Sequence, residues 1–144
     1  MLPQELDRVG ALWLRSLLGA LEGLRPEQKP SLEEFEQHFR TRIAPHDELY
    51  VADDGEQPVA VLALKDDEVD QLYVDPPAQR RGIGTRLLEH AKASRPAGLR
   101  LVTLQRNRAA RTLYERHCFV AYAQGTSPPP ESEPDIWYRW DGAR

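Results

Sequence analysis

A strand, a turn and a helix follow one another directly over residues 71–88, and this order constrains the fold more than any other feature. The apolar strand ends at Asp75-Pro76-Pro77, because proline cannot donate to a β-ladder and restrains the residue before it. A basic turn with two glycines follows. Apolar residues then return at helical spacing, which predicts a helix that begins at the turn.

The turn predicts a binding site for phosphate or pyrophosphate. Gly82 and Gly84 let the backbone approach a ligand closely. The first N–H groups of the helix lack intrahelical acceptors and lie at the positive end of its dipole. Arg80 and Arg81 oppose that dipole, and a bound polyanion would remove the conflict. The turn matches neither the Walker P-loop nor the G-x-G-x-x-G dinucleotide fingerprint.

Length and composition favour one cytoplasmic domain spanning residues 1–144. The formal net charge of −4 disfavours a nucleic-acid partner. A single cysteine, Cys118, excludes an intrachain disulfide and suits a reducing compartment. No apolar run is long enough to cross a bilayer, and the N-terminus lacks signal-peptide features. We therefore expect no membrane partner. Because the histidines show no metal-ligand spacing, we also expect no metal.

Hydrophobic periodicity predicts the element order α, α, β, β, β, α, β, α, β, β. The strand–helix–strand step from 68 to 105 requires a parallel neighbour, so we expect a mixed sheet flanked by about four helices, an α/β (α+β) fold. Ser31 and Glu34 form a capping box. The predicted helices cover 4–24, 31–43, 82–94 and 107–117, and the predicted strands cover 48–52, 57–64, 68–74, 99–105, 119–123 and 135–140, with a loop at 125–134.

Three segments resemble the GNAT (GCN5-related) N-acetyltransferases, in particular the small single-domain bacterial members. Residues 79–84 are similar to the Q/R-x-x-G-x-G/A acyl-coenzyme A loop. Residues 69–76 resemble the central strand of the family, and residues 107–115 resemble its N-x-x-A-x-x-L-Y-E helix. The resemblance extends over about residues 48–140, and it implies a mostly antiparallel sheet with acetyl-CoA as co-substrate.

In the family, the central strand splays from its parallel neighbour and the pantetheine arm lies in the gap. The apolar positions 69, 72 and 74 break strict alternation, which indicates a bulge near Gln71 or Leu72. The resemblance implies that Asn107 contacts the arm, although Asn107 is also a good helix N-cap. The other implied cofactor-binding residues are Leu72, Tyr73, Val74, Gln79, Arg80, Arg81, Gly82, Ile83, Gly84 and Thr85.

Acetyl transfer to an amine requires removal of a proton, because lysine-like amines are charged at neutral pH. Glu68 is the first candidate base and Asp70 the second. They share a strand face, and a water chain to either stays open. The alternative interpretation is that Glu68 and Asp70 are solvated charges at a strand end. The resemblance implies that Tyr114 donates a proton to the departing thiolate, whereas a tyrosine at this helical position also suits packing.

Two functions follow. The first is direct transfer, in a ternary complex, from acetyl-CoA to a primary amine of a small molecule or a peptide. The second is a non-catalytic acyl-CoA-binding or regulatory module of the same fold. Acidic residues crowd the strand meander and would favour a cationic amine if they converge, although solvated acidic turns are the favoured explanation. They are Asp47, Glu48, Asp53, Asp54, Glu56, Asp66, Asp67, Glu68 and Asp70.

The chain departs from the family pattern in two places. The first helix begins almost at Met1, so the family's first strand is expected to be missing. A homodimer would cover the sheet edge that this loss exposes. The family usually has glycine where this chain has Cys118, and glycine there permits the positive φ of a helix C-cap.

Overall fold

The computed structural model describes residues 7–14, 23–28, 31–75, 78, 81–129 and 131–142. This part of the chain forms a six-stranded sheet in the order β1-β2-β3-β4-β6-β5. Only β3 and β4 run parallel, which confirms the mixed, mostly antiparallel sheet. The strands are β1 (Glu48–Asp53), β2 (Pro58–Lys65), β3 (Glu68–Val74), β4 (Leu99–Leu104), β5 (Val120–Thr126) and β6 (Pro134–Trp140).

Four α-helices lie in the described residues: α1 (7–14), α2 (Leu32–His38), α3 (Ile83–Ser94) and α4 (Arg108–Arg116). A 3-10 turn at Pro26–Gln28 precedes α2, and a π-helical turn at Phe39–Ile43 follows it. The Glu34 N–H donates to Ser31 Oγ at 3.1 Å, the N-terminal half of the predicted capping box. None of these helices is long and apolar enough to span a membrane.

Two predicted boundaries were wrong. The helix predicted over 4–24 does not reach its end, because Gly23 has a φ of 92° and begins a turn. Residues 4–6 and 15–22 of that prediction lie outside the described part. The loop predicted from 125 begins at Ser127, because Gly125 and Thr126 continue β5 and pair with β6.

The sheet separates two hydrophobic cores. Ala60, Leu62 and Leu64 of β2 point to one face, where α3 and α4 pack on them. Val61 and Ala63 point to the other face, against Trp13 and its neighbours from α1 and the α2 region. Since alternate residues of β2 are buried on opposite faces, the strand is apolar throughout. We call these faces the α3–α4 face and the α1–α2 face.

A β-bulge lies in β3 at Asp70. Ala63 of β2 pairs with Gln71, whereas Leu64 pairs with Val69, so Asp70 is left without an opposite residue. This confirms the bulge predicted near Gln71 or Leu72, since Asp70 directly precedes Gln71. The extra residue shifts the alternation, so that Val69 and Leu72 both contact the α3–α4 core.

β3 and β4 pair at one position and then diverge. Glu68 is opposite Arg100, and this is the only register pair between these two strands, both of which are fully described. The Arg100 N–H donates to Asp67 O at 2.9 Å beside it. β3 remains paired with β2 up to Val74, so the gap opens between two intact parts of the sheet. This geometry agrees with the expected splay.

At one edge of the sheet, β1 pairs with β2 alone among the described strands. Residues 1–6, which precede α1, lie outside the described part. The missing first strand and the homodimer that would cover the edge therefore stay predictions.

The end of α4 has the backbone geometry of a glycine cap although it carries cysteine. Cys118 has a φ of 68°. The Phe119 N–H donates to Tyr114 O at 3.0 Å and the Cys118 N–H to Glu115 O at 3.3 Å. These two bonds define a Schellman motif, in which this position prefers glycine. The left-handed conformation costs a non-glycine residue about 1–2 kcal/mol.

We therefore expect Cys118→Gly to raise the free energy of unfolding by about 1 kcal/mol, because glycine accepts this φ without the steric cost. Urea denaturation at neutral pH measures the change. Cys118→Ala is the matched control, since alanine loses the thiol but keeps the Cβ. If the glycine and alanine variants are equally stable, the strain assigned to Cys118 is absent.

Candidate active site

Tyr114 of α4 lies beside the gap between β3 and β4. Asn107 caps this helix, and its Oδ1 accepts the Ala110 N–H at 3.2 Å, which confirms the predicted N-cap. The Tyr114 side chain is buried, with its ring centroid 5.8 Å from that of Phe119 and 6.0 Å from that of Tyr138. Its ring therefore belongs to the α3–α4 core.

The glycine turn forms the other end of the gap. Gly82 is the N-cap of α3 with a φ of 78°, and no side chain caps the helix there. A Cβ at Gly84 would lie 3.5 Å from Leu113 Cδ2 and 3.7 Å from Val74 Cγ2, an ordinary packing distance. The start of α3 is thus close to both β3 and α4. Its first N–H groups can bind an anion at the C-terminal end of β3.

Several residues predicted for this turn can be located. Arg81 is exposed, and Ile83 is partly buried at the first position of α3. Thr85 Oγ1 lies 3.2 Å from His117 Nε2, which links α3 to the C-terminal cap of α4. Gln79 and Arg80, the two residues predicted to extend this site, lie outside the described part of the chain.

Tyr73 on β3 faces the α1–α2 core from the opposite wall of the gap. Burial raises the pKa of its phenol, and the neighbouring Tyr114, Glu131 and Asp70 raise it further. The Tyr73 hydroxyl therefore lies within electrostatic reach of all three groups. Burial likewise raises the pKa of Tyr114. Both phenols remain protonated at neutral pH.

The two predicted bases lie on β3 near the bulge. Glu68 is half-buried, and burial together with the charge of Asp70 raises the pKa of its carboxyl, while Arg100 acts in the opposite direction. Asp70 lines a cavity of about 560 Å³ on the α1–α2 face. The other lining residues are His38, Thr41, Arg42, His46, Lys65 and Asp66.

Sequence reasoning missed the role of Asp47, which follows the π-helical turn. Both of its carboxylate oxygens are buried, and no donor among the described residues bonds them. Burial raises the pKa of Asp47 to about 8, and a side-chain contact with Asp70 adds to the shift. No local pattern signals this contact, because the two residues come from separate parts of the chain.

Glu131 was also missed. It lies in the proline-rich loop between β5 and β6, which was predicted only as a connection. Its backbone carbonyl accepts Gln28 Nε2 at 2.9 Å, so the loop is held against the segment before α2. Burial raises the pKa of the Glu131 carboxyl, which acts on Tyr73.

The acidic residues of the strand meander converge only in part. Asp53 and Asp54 accept backbone N–H groups within the β1–β2 turn. Glu48 pairs with Arg95 at 3.0 Å, and Asp67 with Arg100 at 3.0 Å. The carboxyls that act on one another around β3 are therefore fewer than the sequence suggested: Asp47, Glu68 and Asp70, with Asp66 at the cavity rim.

The described residues contain no group of three His, Cys, Asp or Glu side chains that could hold a metal ion. What the described arrangement offers instead is a helix N-terminus that begins at a glycine, two protonated phenols, and a group of carboxyls on and beside β3.

Comparisons with known proteins identify what this arrangement is similar to. A family model described as an acetyltransferase (GNAT) domain matches residues 45–121. The peptidyl-lysine N-acetyltransferase YjaB of Salmonella typhimurium is 31% identical over 117 residues, which are 81% of this chain and 77% of that protein.

Solved structures agree with these sequence matches. The solution structure of apo-form YjaB from Escherichia coli has a TM-score of 0.77 and 25% identity, and the match covers 97% of this chain and 93% of that one. The crystal structure of a GCN5-related N-acetyltransferase from Rhodopseudomonas palustris has a TM-score of 0.76 at 21% identity, covering 98% and 92%. The match to the Rhodopseudomonas palustris structure, at this low identity, supports the fold alone.

The two glycines of the turn should respond differently to alanine. We expect Gly82→Ala to lower the free energy of unfolding by about 1 kcal/mol, because its φ is positive. Gly84→Ala is the matched comparison. It lies in a helix with room for a Cβ, so stability should stay the same or rise by up to about 1 kcal/mol. Equal losses measured by urea denaturation of the two variants would contradict the assigned backbone geometry.

Proposed function

The chain belongs to the GNAT family and is an N-acetyltransferase, and we propose that it transfers the acetyl group of acetyl-CoA to a lysine-like primary amine of a peptide. The observation that carries the proposal is the divergence of β3 from β4, beside a strand that bears the candidate carboxyls and leads to the glycine turn at the start of α3. The names of the relatives favour an enzyme over the non-catalytic acyl-CoA-binding module.

In this proposal acetyl-CoA lies along β3. The pyrophosphate binds the N–H groups at the start of α3, with Arg81–Thr85 around it and Gln79 and Arg80 extending the site. The pantetheine arm then follows Leu72–Val74 into the gap. Because Asn107 uses its Oδ1 for the helix cap, its amide NH₂ group is left to contact the arm.

Tyr114 would act on the leaving sulfur. A thiol has an ordinary pKa of about 8.5, whereas burial raises the pKa of the Tyr114 phenol above its usual value. A proton held by the phenol would therefore not pass completely to the thiolate. Tyr114 stabilises the developing thiolate by an O–H···S hydrogen bond, which is electrostatic stabilisation in a site shielded from water.

The acceptor amine would approach from the α1–α2 face, where the cavity reaches Asp70. Glu68 and Asp70 are the two candidate bases, both on β3 next to the bulge. A carboxylate takes a proton from the ammonium, and the neutral nitrogen attacks the acetyl carbonyl carbon. The C–S bond breaks as the C–N bond forms, and the remaining extra proton of the nitrogen passes to the departing thiolate, which leaves as the CoA thiol. This direct attack requires both substrates to be bound at once.

The acceptor class is inferred from the relatives and from Asp70, since the charged lining of the cavity is balanced. Asp66 and Asp70 line the cavity, and the cations Arg42 and Lys65 line it as well. The peptidyl-lysine activity in the name of the Salmonella relative supports a lysine side chain as the acceptor. Asp70 would then be the carboxylate that meets its ammonium group.

Acetyl-CoA should raise the melting temperature of the protein, because a ligand that binds only the native state stabilises it. At a concentration 100-fold above the dissociation constant the gain is about 2.7 kcal/mol, which is on the order of 10 °C for a domain of this size. Differential scanning fluorimetry measures the shift. An unchanged melting temperature with both acetyl-CoA and CoA would refute the proposal. A separate assay of thiol release, with a panel of lysine peptides and small amines, identifies the acceptor class.

Tyr114→Phe should lower kcat by about 100-fold, the loss typical for removal of one donor to a developing anion. The affinity for CoA should stay within about 2-fold, because the lost hydrogen bond forms only as the sulfur leaves. The control is Tyr122→Phe, which removes the same hydroxyl from an exposed side chain on β5. Equal turnover in the two variants would remove Tyr114 from the mechanism.

A further inference from the structure

We propose that Asp47 and Asp70 act as one proton-sharing carboxyl pair, and that this pair takes the proton from the acceptor amine. The inference rests on the proposed function and goes beyond it in assigning the base. In this arrangement Asp70 contacts the amine, whereas Asp47 is a positioning residue that acts through Asp70.

The geometry around Asp47 is the first argument. Its backbone N–H donates to Ile43 O at 2.9 Å, which fixes the residue at the end of the π-helical turn. Both carboxylate oxygens are buried, and no donor among the described residues reaches them. A buried carboxylate without a donor is costly. The neighbouring Asp70 side chain relieves that cost only if one of the two carboxyls carries a proton, since two ionised carboxylates can only accept.

The second argument is that Asp70 has access to a substrate. It is the unopposed residue of the β3 bulge, and bulges commonly redirect a side chain beside an active site. It lines the cavity of about 560 Å³, whereas Asp47 does not line it. The charge of Asp70 also acts on the Tyr73 phenol of the same strand. One member of the pair therefore faces the cavity and acts electrostatically on a side chain beside the β3–β4 gap.

Electrostatics agrees with the geometry. Burial raises the pKa of Asp47 to about 8, the side-chain contact with Asp70 and the charge of Asp70 add to this, and Glu68 contributes less. Lys65 of β2 is the cation that opposes the shift. The remaining charged or titratable groups that line the cavity are His38 and Arg42 from the α2 region, His46 before β1, and Asp66 after β2.

Pairing turns a weak base into a useful one. An isolated aspartate has a pKa of about 3.9 and is a poor acceptor for an ammonium proton. Two carboxylates in contact hold a proton more tightly, because like charges disfavour joint ionisation. The doubly ionised pair takes one proton from the ammonium: an N–H bond breaks and an O–H bond forms on Asp70, shared with Asp47. The neutral amine then attacks the acetyl carbon and the C–S bond breaks.

The pH dependence of folding tests the shared proton without any substrate. Between about pH 4 and pH 8 the folded pair binds one proton more than the unfolded chain, so the free energy of unfolding must fall as pH rises through this range. Asp47→Asn keeps the shape and can donate an N–H to Asp70, so it should fold and lose this slope. Glu56→Gln, which removes one exposed acidic charge, is the matched control and should keep the slope.

The pH profile of kcat/KM tests the catalytic role, using whichever lysine peptide or small amine releases CoA thiol in the panel. The amine's own ionisation is the same for every variant, so differences between profiles report the enzyme. Wild type and Glu56→Gln should share a rising limb with a midpoint near pH 8. Asp47→Asn should move that limb down by more than about 2 pH units and lower the plateau by roughly 100-fold, because the remaining aspartate is a weaker base.

Each outcome supports or refutes the proton-sharing pair of Asp47 and Asp70. If Asp47→Asn retains the wild-type stability slope, the two carboxyls share no proton and the proposal fails. If the slope disappears while the kcat/KM limb stays in place, the pair is a structural contact and the proposal fails as well. A protein that transfers no acetyl group to any amine would refute the proposed function, and the stability slope would then still report whether the pair exists.

Discussion

The divergence of β3 from β4 after the Glu68–Arg100 position is the constraint on which the other features of the site depend. In a parallel pair the hydrogen bonds would normally continue along both strands. Here β3 stays paired with β2, and β4 stays paired with β6 over its full length. The gap is thus held open by two intact halves of the sheet, and an extended ligand can enter it without unfolding either half.

Because the gap passes through the sheet, it connects the two hydrophobic cores. Tyr114 belongs to the core on the α3–α4 face, and Tyr73 packs against the core on the α1–α2 face. The gap therefore gives side chains from opposite faces a place to approach one another. The bulge at Asp70 adds to the effect, since it shifts the alternation of β3 just before the strand borders the opening.

Local pattern predicted most of the fold. The two-sided burial of β2, the N-cap at Asn107 and the glycine turn before α3 all follow from residues close in sequence. The bulge was located only approximately, because the apolar positions 69 and 72 show that alternation breaks between them but not at which residue. The first helix was predicted to run to residue 24, because Leu21 continues the apolar repeat past Gly19. Pattern alone does not show that the chain turns at Gly23.

The site itself was only partly predictable. Glu68, Asp70 and Tyr114 were singled out because a family motif marks their positions. Asp47 and Glu131 became visible only through contacts between distant parts of the chain. No periodicity or spacing encodes such contacts, since they depend on how the helices and the β5–β6 loop pack across the sheet. The acidic composition of the meander indicated carboxyls, but it did not distinguish those satisfied in turns from those that meet at β3.

Burial raises the pKa of both kinds of acid beside β3, with opposite consequences for the acetyl transfer proposed above. For the Asp47 carboxyl, a raised pKa brings its proton affinity closer to that of an amine. For the phenols of Tyr73 and Tyr114, a raised pKa ensures that the proton stays on oxygen, so both remain hydrogen-bond donors. The same exclusion of water would strengthen hydrogen bonds to a developing thiolate. In the proposed reaction, one physical cause would thus favour proton acceptance by carboxyls on the α1–α2 face and hydrogen-bond donation by Tyr114 from the opposite wall.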